Sequence, residues 1–286
     1  MTQIEALFVQ ARQLDGNERL EAFNMLMKRL VDKAGEMQEA EEGFGYLQFT
    51  YSQCFDMPEP PQPPGGDLTP QLGGAERWKT RILAKMIDLA AETRKTQPAL
   101  GFNFYQWVWN CLGHWERNRA QIKRGQVLTG TLALAREQHT GNPTLAFRIY
   151  QWVCGRTEFV NDEKAWRHHI VSGSIDLAKA NWRDPATALE VYAWAHGAAV
   201  FLAGQTELRS RIVAETIDLA ENIAKEKREL SIAAYMQAHR QSKNLDPIYD
   251  NNIRIGLARH FGLTIAQIEA QRPIDSSDGK FPVVQS

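Results

Sequence analysis

The sequence predicts an all-α fold, an α-solenoid of about four helix-hairpin repeats, and three observations carry that prediction. Tyr105, Tyr150, Tyr192 and Tyr235 are separated by 45, 42 and 43 residues, and the first three are followed two positions later by Trp107, Trp152 and Trp194. Seven residues before these three stand Pro98, Pro143 and Pro185, each preceded by Gln97, Asn142 or Asp184. Asn or Asp before Pro pairs an N-cap with a first helical residue whose missing amide costs nothing. In a second register, WKTRILAKMIDLA (78–90), WRHHIVSGSIDLA (166–178) and LRSRIVAETIDLA (208–220) align without a gap, with KRGQVLTGTLALA (123–135) a fainter copy. A period of this length marks a supersecondary unit that buries its apolar face only against its neighbours.

Taken in order, residues 4–34 and 39–54 read as two amphipathic helices, with Leu20, Phe23, Leu26, Met27, Leu30 and Val31 at helical spacing. They form an N-terminal helical segment, residues 1–56. The next stretch, 57–75, carries six prolines and four glycines and reads as a linker or long loop. Residues 76–241 are the repeat domain. Each unit is a helix ending near Asp-Leu-Ala, a short loop, then a Pro-started helix bearing the Tyr and Trp. Tyr150 and Trp152 lie about 200° apart at about 100° per residue, so this helix is held from two sides. The helix over 98–112 is apolar nearly all round, as expected of one packed between layers. A C-terminal helical cap, 242–272, and a flexible tail, 273–286, complete the chain.

Composition excludes several function classes. Lys plus Arg number 33 against 34 for Asp plus Glu, so the chain has no general attraction for nucleic acid or an anionic membrane. Cys54, Cys111 and Cys154 are odd in number and lack CxxC spacing, against a disulfide framework or a zinc site. The first residues lack the pattern of a signal peptide, and no apolar run approaches the roughly 20 residues that span a bilayer. A cytoplasmic location without membrane contact is expected. His168 and His169, adjacent and so about 100° apart on a helix, read as surface histidines. HEXXH, GxSxG and P-loop patterns are missing, so no catalytic residue, metal or cofactor is expected.

With these registers, residues 76–241 resemble the α-solenoid families. The period is similar to HEAT or armadillo repeats, and LRSRIVAETIDLA is loosely similar to the second helix of a HEAT unit. The Pro-started helix after a hairpin looks like tetratricopeptide repeats, although the period is longer and the Leu-Gly-x-x-Tyr pattern is missing. What the resemblance implies is binding of proteins or peptides along a concave surface.

The candidate binding residues follow from the repeat. Asn103, Gln106 and Asn110 occupy one arc of the 98–112 helix, and the matching positions further on are Arg148, Gln151 and Glu190. Equivalent positions in a solenoid align, so these six are expected to line a concave polar groove; the alternative is a solvated stripe. Trp109 and Trp115 fall outside the strict repeat positions and are the aromatic surface candidates, whereas Trp107, Trp152, Trp166, Trp182 and Trp194 read as core. Asp88, Asp176 and Asp218 recur near helix C-termini, where they oppose the dipole. An adjoining-unit cation such as Lys79, Arg167 or Arg209 would offset each, or the row would recognise a basic peptide. Residues 253–271 have Ala258, Gly262 and Ile268 at helix-turn-helix offsets, with Arg254, Arg259 and Arg272 as the nearby cations.

The sequence therefore predicts a non-catalytic adaptor, inhibitor or immunity-type protein that holds a protein or peptide in its groove. Two other readings remain: a DNA-binding regulator acting through residues 253–272, and an enzyme with an unfamiliar site.

Overall fold

The computed structural model describes residues 2–58, 74–115, 117–200, 202 and 206–270. Most of the predicted Pro- and Gly-rich linker and the tail, with Arg272, lie outside the described residues. Among those described, every regular element is helical and there is no strand. The fold is an all-α repeat fold. It divides into two compact units, one comprising the helices up to residue 134 with Phe159–Asn161, the other the remainder.

In the N-terminal unit, α1 (Thr2–Arg12) and α2 (Gly16–Glu36) replace the single helix expected over 4–34. The break spans residues 13–15 and ends at Gly16, whose left-handed φ of +49° turns the chain into α2. Next come α3 (Ala40–Gln53), α4 (Gly74–Thr96), α5 (Pro98–Cys111) and α6 (Arg117–Glu137), the last crossing into the second unit. Phe8 meets Phe23 edge-on at 5.4 Å, and Phe44 of α3 stacks on Phe104 of α5 at 3.8 Å. Trp78 Nε1 of α4 donates to Asn24 of α2 at 2.7 Å. Residues 1–56 thus pack directly on the first repeat helices, so the Pro- and Gly-rich stretch connects two helices of one unit.

The C-terminal unit contains α7 (Pro143–Cys154), α8 (Glu163–Ala180), α9 (Pro185–Val200), α10 (Thr206–Ile223), α11 (Arg228–Gln241), α12 (Pro247–Phe261) and the short α13 (Ile265–Ala270). Prolines open α5, α7 and α9 as the spacing predicts. Asn142 caps α7 by accepting from the amide of Leu145 at 3.1 Å, and Asp184 accepts from Thr187 at 3.3 Å. Gln97 makes no side-chain cap. The Asp-Leu-Ala segment does not end α4, which runs on to Thr96.

Two further repeat positions build the core. Four residues before each tyrosine stands a small buried residue: Gly101, Ala146, Ala188 or Ser231. At Gly101 and Ser231 the tyrosine-bearing helix passes close to its predecessor. A Cβ on Gly101 would lie 2.8 Å from the backbone of Arg94 in α4, and Ser231 Oγ donates to Ala220 O of α10 at 2.7 Å. The tyrosines, each at most 2% exposed, then reach the following helix. Tyr105, Tyr150 and Tyr235 lay their phenol ends against Gly130, Gly173 and Gly256, where a Cβ would fall 2.4 or 2.5 Å from the hydroxyl oxygen. Glycine is required at those three places because only hydrogen fits. Beside two of them Thr131 and Ser174 are fully buried and donate to their own helix's carbonyls, as does Thr216 of α10, so no hydroxyl is left unpaired at that position. Since α12 carries Gly256, the segment expected to be a terminal cap repeats the internal contact of the earlier units.

Candidate functional site

Each predicted row residue lies on the outward side of its helix. In the N-terminal unit Asn103 and Asn110 of α5 are exposed and Gln106 is half-buried. In the C-terminal unit Arg148 and Gln151 of α7 and Glu190 of α9 are all exposed, while Leu145, Ala146, Ile149, Tyr150 and Val153 between them are buried.

The aromatic expectations are reversed at Trp109 and Trp182. Trp109 is buried, at 9% exposure, because Phe159 packs edge-on to it and the Arg124 guanidinium sits 5.8 Å from its ring. Trp115 is half-buried, its Nε1 donating to Tyr51 Oη at 3.1 Å. Trp182, read from its sequence position as core, is 45% exposed. Trp107, Trp152, Trp166 and Trp194 are half-buried, since they lie opposite the inward-facing tyrosine of their helices or at a helix edge.

The acidic row is handled in two ways. Asp176 is bound by Arg211 of α10 at 2.7 Å, an inter-repeat ion pair as expected but through a different arginine. Arg167 is engaged with Glu163, Lys79 with Glu76, and Arg209 donates to the carbonyl of Lys243. Asp218 has no such ion pair among the described residues, and burial, with Glu215 next, holds its carboxyl above the usual carboxylate range. His168 and His169 are exposed, as predicted.

Residues 253–270 do form two helices about Gly262, whose φ of +65° makes the turn. Ala258, expected to pack inside, is instead exposed: the inward face of α12 is Ile253, Gly256 and Leu257. Arg254 pairs with Asp250 at 2.8 Å and Arg259 with Glu221 at 3.8 Å, so the described arginines of this segment are committed to carboxylates. Cys54 and Cys111 are pushed up to about 12 by burial and stay as thiols, and Cys154 is raised by the same cause.

What the sequence reading missed lies at the third tyrosine, Tyr192. The alignment that places Gly130 and Gly173 in one column places Glu215 in the same column of α10. Tyr192 lines a cavity of about 380 Å³ together with Lys179, Trp182, Glu215, Asp218 and Glu226, Leu219 and Asn222. Tyr150 Oη is 2.8 Å from His139 Nε2, and Tyr235 Oη donates to Glu221 at 2.8 Å. The Tyr192 hydroxyl has no such partner among the described residues, although the residue is only 2% exposed. Burial, with Glu215 and Asp218, raises it above the ordinary phenol range, so it is a neutral hydroxyl at the wall of a cavity.

One expected result follows from that contrast. Tyr150→Phe is expected to cost about 0.5–1.5 kcal/mol, the net worth of a buried hydrogen bond. Tyr192→Phe, which removes a hydroxyl with nothing to bond, is expected to be neutral or slightly stabilising. Urea unfolding of the two variants measures both.

No protein-family model and no curated protein matches the chain. A solved structure described as a circular tandem repeat protein with novel repeat topology and enhanced subunit contact surfaces is similar to it. Its TM-score is 0.56 at 13% identity, over 90% of this chain and 70% of that one. That likeness bears on the fold and agrees with an all-α repeat architecture. No helix among the described residues is long and apolar enough to cross a membrane.

Proposed function

We propose that this protein is a non-catalytic helical-repeat scaffold that holds a protein or peptide partner. The observation that supports this reading most is the exposure of polar side chains at repeat-equivalent positions of helices whose other faces build the core. Arg148 and Gln151 of α7 and Glu190 of α9 keep their donors and acceptors available, while the intervening residues form the core. Rigid helices present such groups at little ordering cost, which is what hydrogen-bonded recognition of an extended partner requires. Asn103, Gln106 and Asn110 occupy the equivalent face of α5 within the N-terminal unit.

The test is selection of a displayed random-peptide library on the purified chain, followed by binding of the enriched peptide to wild type and to an Arg148→Ala, Gln151→Ala variant. Enrichment of a defined motif is expected, with at least a tenfold loss of affinity in the variant, equivalent to about 1.4 kcal/mol. Failure to enrich any motif, or equal affinity of the two proteins, would remove the row from consideration as a binding surface.

A further inference from the structure

We propose that the cavity bounded by α8, α9 and α10 is a binding site for an organic cation, a guanidinium or primary ammonium group, held by Asp218, Glu226 and the Tyr192 hydroxyl. It is separate from the polar row: Tyr192 and Glu190 lie about 200° apart around α9, so one can fail without the other.

Charge is the first argument. The lining carries three carboxylates, Glu215, Asp218 and Glu226, against one cation, Lys179. Lys179 Nζ pairs with Glu215 at 2.9 Å and its charge also acts on Asp218, while Asp218 and Glu226 make no ion pair of their own among the described residues. Of the other charged groups around these helices, Arg211 is held by Asp176 and Glu221 by His260 and Arg259. Arg183 lies 5.2 Å from the Trp182 ring. The Lys179–Glu215 pair itself displays the chemistry the walls accept, an alkylammonium on a carboxylate.

The second argument is the Tyr192 hydroxyl. A neutral phenol oxygen can accept an N–H from a bound cation, and its two equivalents in this unit both have partners where the glycine is kept. Where the equivalent helices carry glycine, α10 carries Glu215, which lines the same cavity as Tyr192. The third is shape. The space exceeds what a bare ion fills, and the exposed Trp182, already approached by the Arg183 guanidinium at 5.2 Å, supplies aromatic surface of the kind that favours cations. Among the described residues no three His, Cys, Asp or Glu side chains converge closely enough to ligate one metal ion, which distinguishes this arrangement from an inorganic cation site.

The cation could be carried by a free small amine or by an arginine or lysine side chain, and calorimetric titration distinguishes them. Butylguanidinium, its uncharged analogue butylurea, the capped peptide Gly-Arg-Gly and calcium chloride are each titrated into the full chain. The same titrations are made on an Asp218→Asn, Glu226→Gln variant, whose changes fall at exposed positions and leave the core intact. Saturable 1:1 binding of butylguanidinium is expected, at least tenfold weaker in the variant, with no binding of butylurea. Tighter binding of the peptide than of butylguanidinium assigns the site to a partner's side chain; weaker binding assigns it to a free cation. The proposal is overturned if butylguanidinium fails to bind, binds no better than butylurea, binds the variant equally, or is displaced by calcium at lower concentration. Unchanged thermal melting of the variant excludes misfolding as the source of a loss.

Discussion

Replacing Tyr150 with alanine is expected to cost about 3–5 kcal/mol of folding stability, the range for removing a fully buried aromatic ring from a core. The residue is 0% exposed, and its ring fills the space between α7 and α8 where Gly173 admits it. Neighbouring helices cannot collapse into that space, because Ala146 and Ile149 already hold α7 against its surroundings at 0% exposure. The loss also takes away the hydrogen bond of His139 Nε2, a half-buried imidazole that burial already holds below its usual range. Since whole domains are stable by only about 5–15 kcal/mol, this one change removes a large share. Gln151→Ala, one position along on the exposed side of the same helix, is expected to stay within about 0.5 kcal/mol. Urea unfolding followed by circular dichroism compares the two directly, and equal effects would contradict the assignment of Tyr150 as the structural centre of its repeat.

The second large effect has a sign that ordinary helix propensity does not predict. Gly173→Ala is expected to destabilise by about 1–3 kcal/mol, the range for overpacking a core. Alanine elsewhere in a helix gains about 1 kcal/mol over glycine. At residue 173 the added carbon would stand 2.5 Å from Tyr150 Oη and 2.9 Å from two ring carbons, and a rigid, fully buried phenol cannot swing away. Gly197 of α9 is the matched comparison. Nothing lies within 4 Å of its would-be Cβ, so Gly197→Ala is expected to stabilise by about 0.5–1 kcal/mol. Opposite signs for two glycine-to-alanine changes in one unit would establish the close tyrosine contact; the same sign would refute it.

The repeat was legible in the sequence because its tyrosines and prolines recur at nearly fixed spacing and because each is demanded by local physics, a cap or a buried ring. The partner of each tyrosine was harder to see. The glycine column follows the tyrosines at intervals that change with loop length, so Gly256 in the last full helix drops out of a gap-free alignment. Trp109 was misread for a related reason. A tryptophan outside the repeat register looks superfluous to the core, yet Phe159 and Arg124 cover it from elements far along the chain, and sequence spacing carries no trace of that. Ala258 matched a motif by offset alone, while the side that α12 turns inward is set by Tyr235 resting on Gly256. The cavity at Tyr192 is visible in retrospect as a glutamate in a glycine column. Its meaning depends on knowing that the column receives a tyrosine, which is a three-dimensional fact.

Titration of butylguanidinium into uniformly 15N-labelled protein, observing the tryptophan indole resonances, tests the claim that the repeat lacking its glycine binds an organic cation beside Tyr192. The account predicts that the Trp182 indole signal, assigned through Trp182→Phe, shifts progressively to saturation while that of buried Trp109 stays in place. A stationary Trp182 signal, or all the indole signals drifting together without saturation, would contradict it.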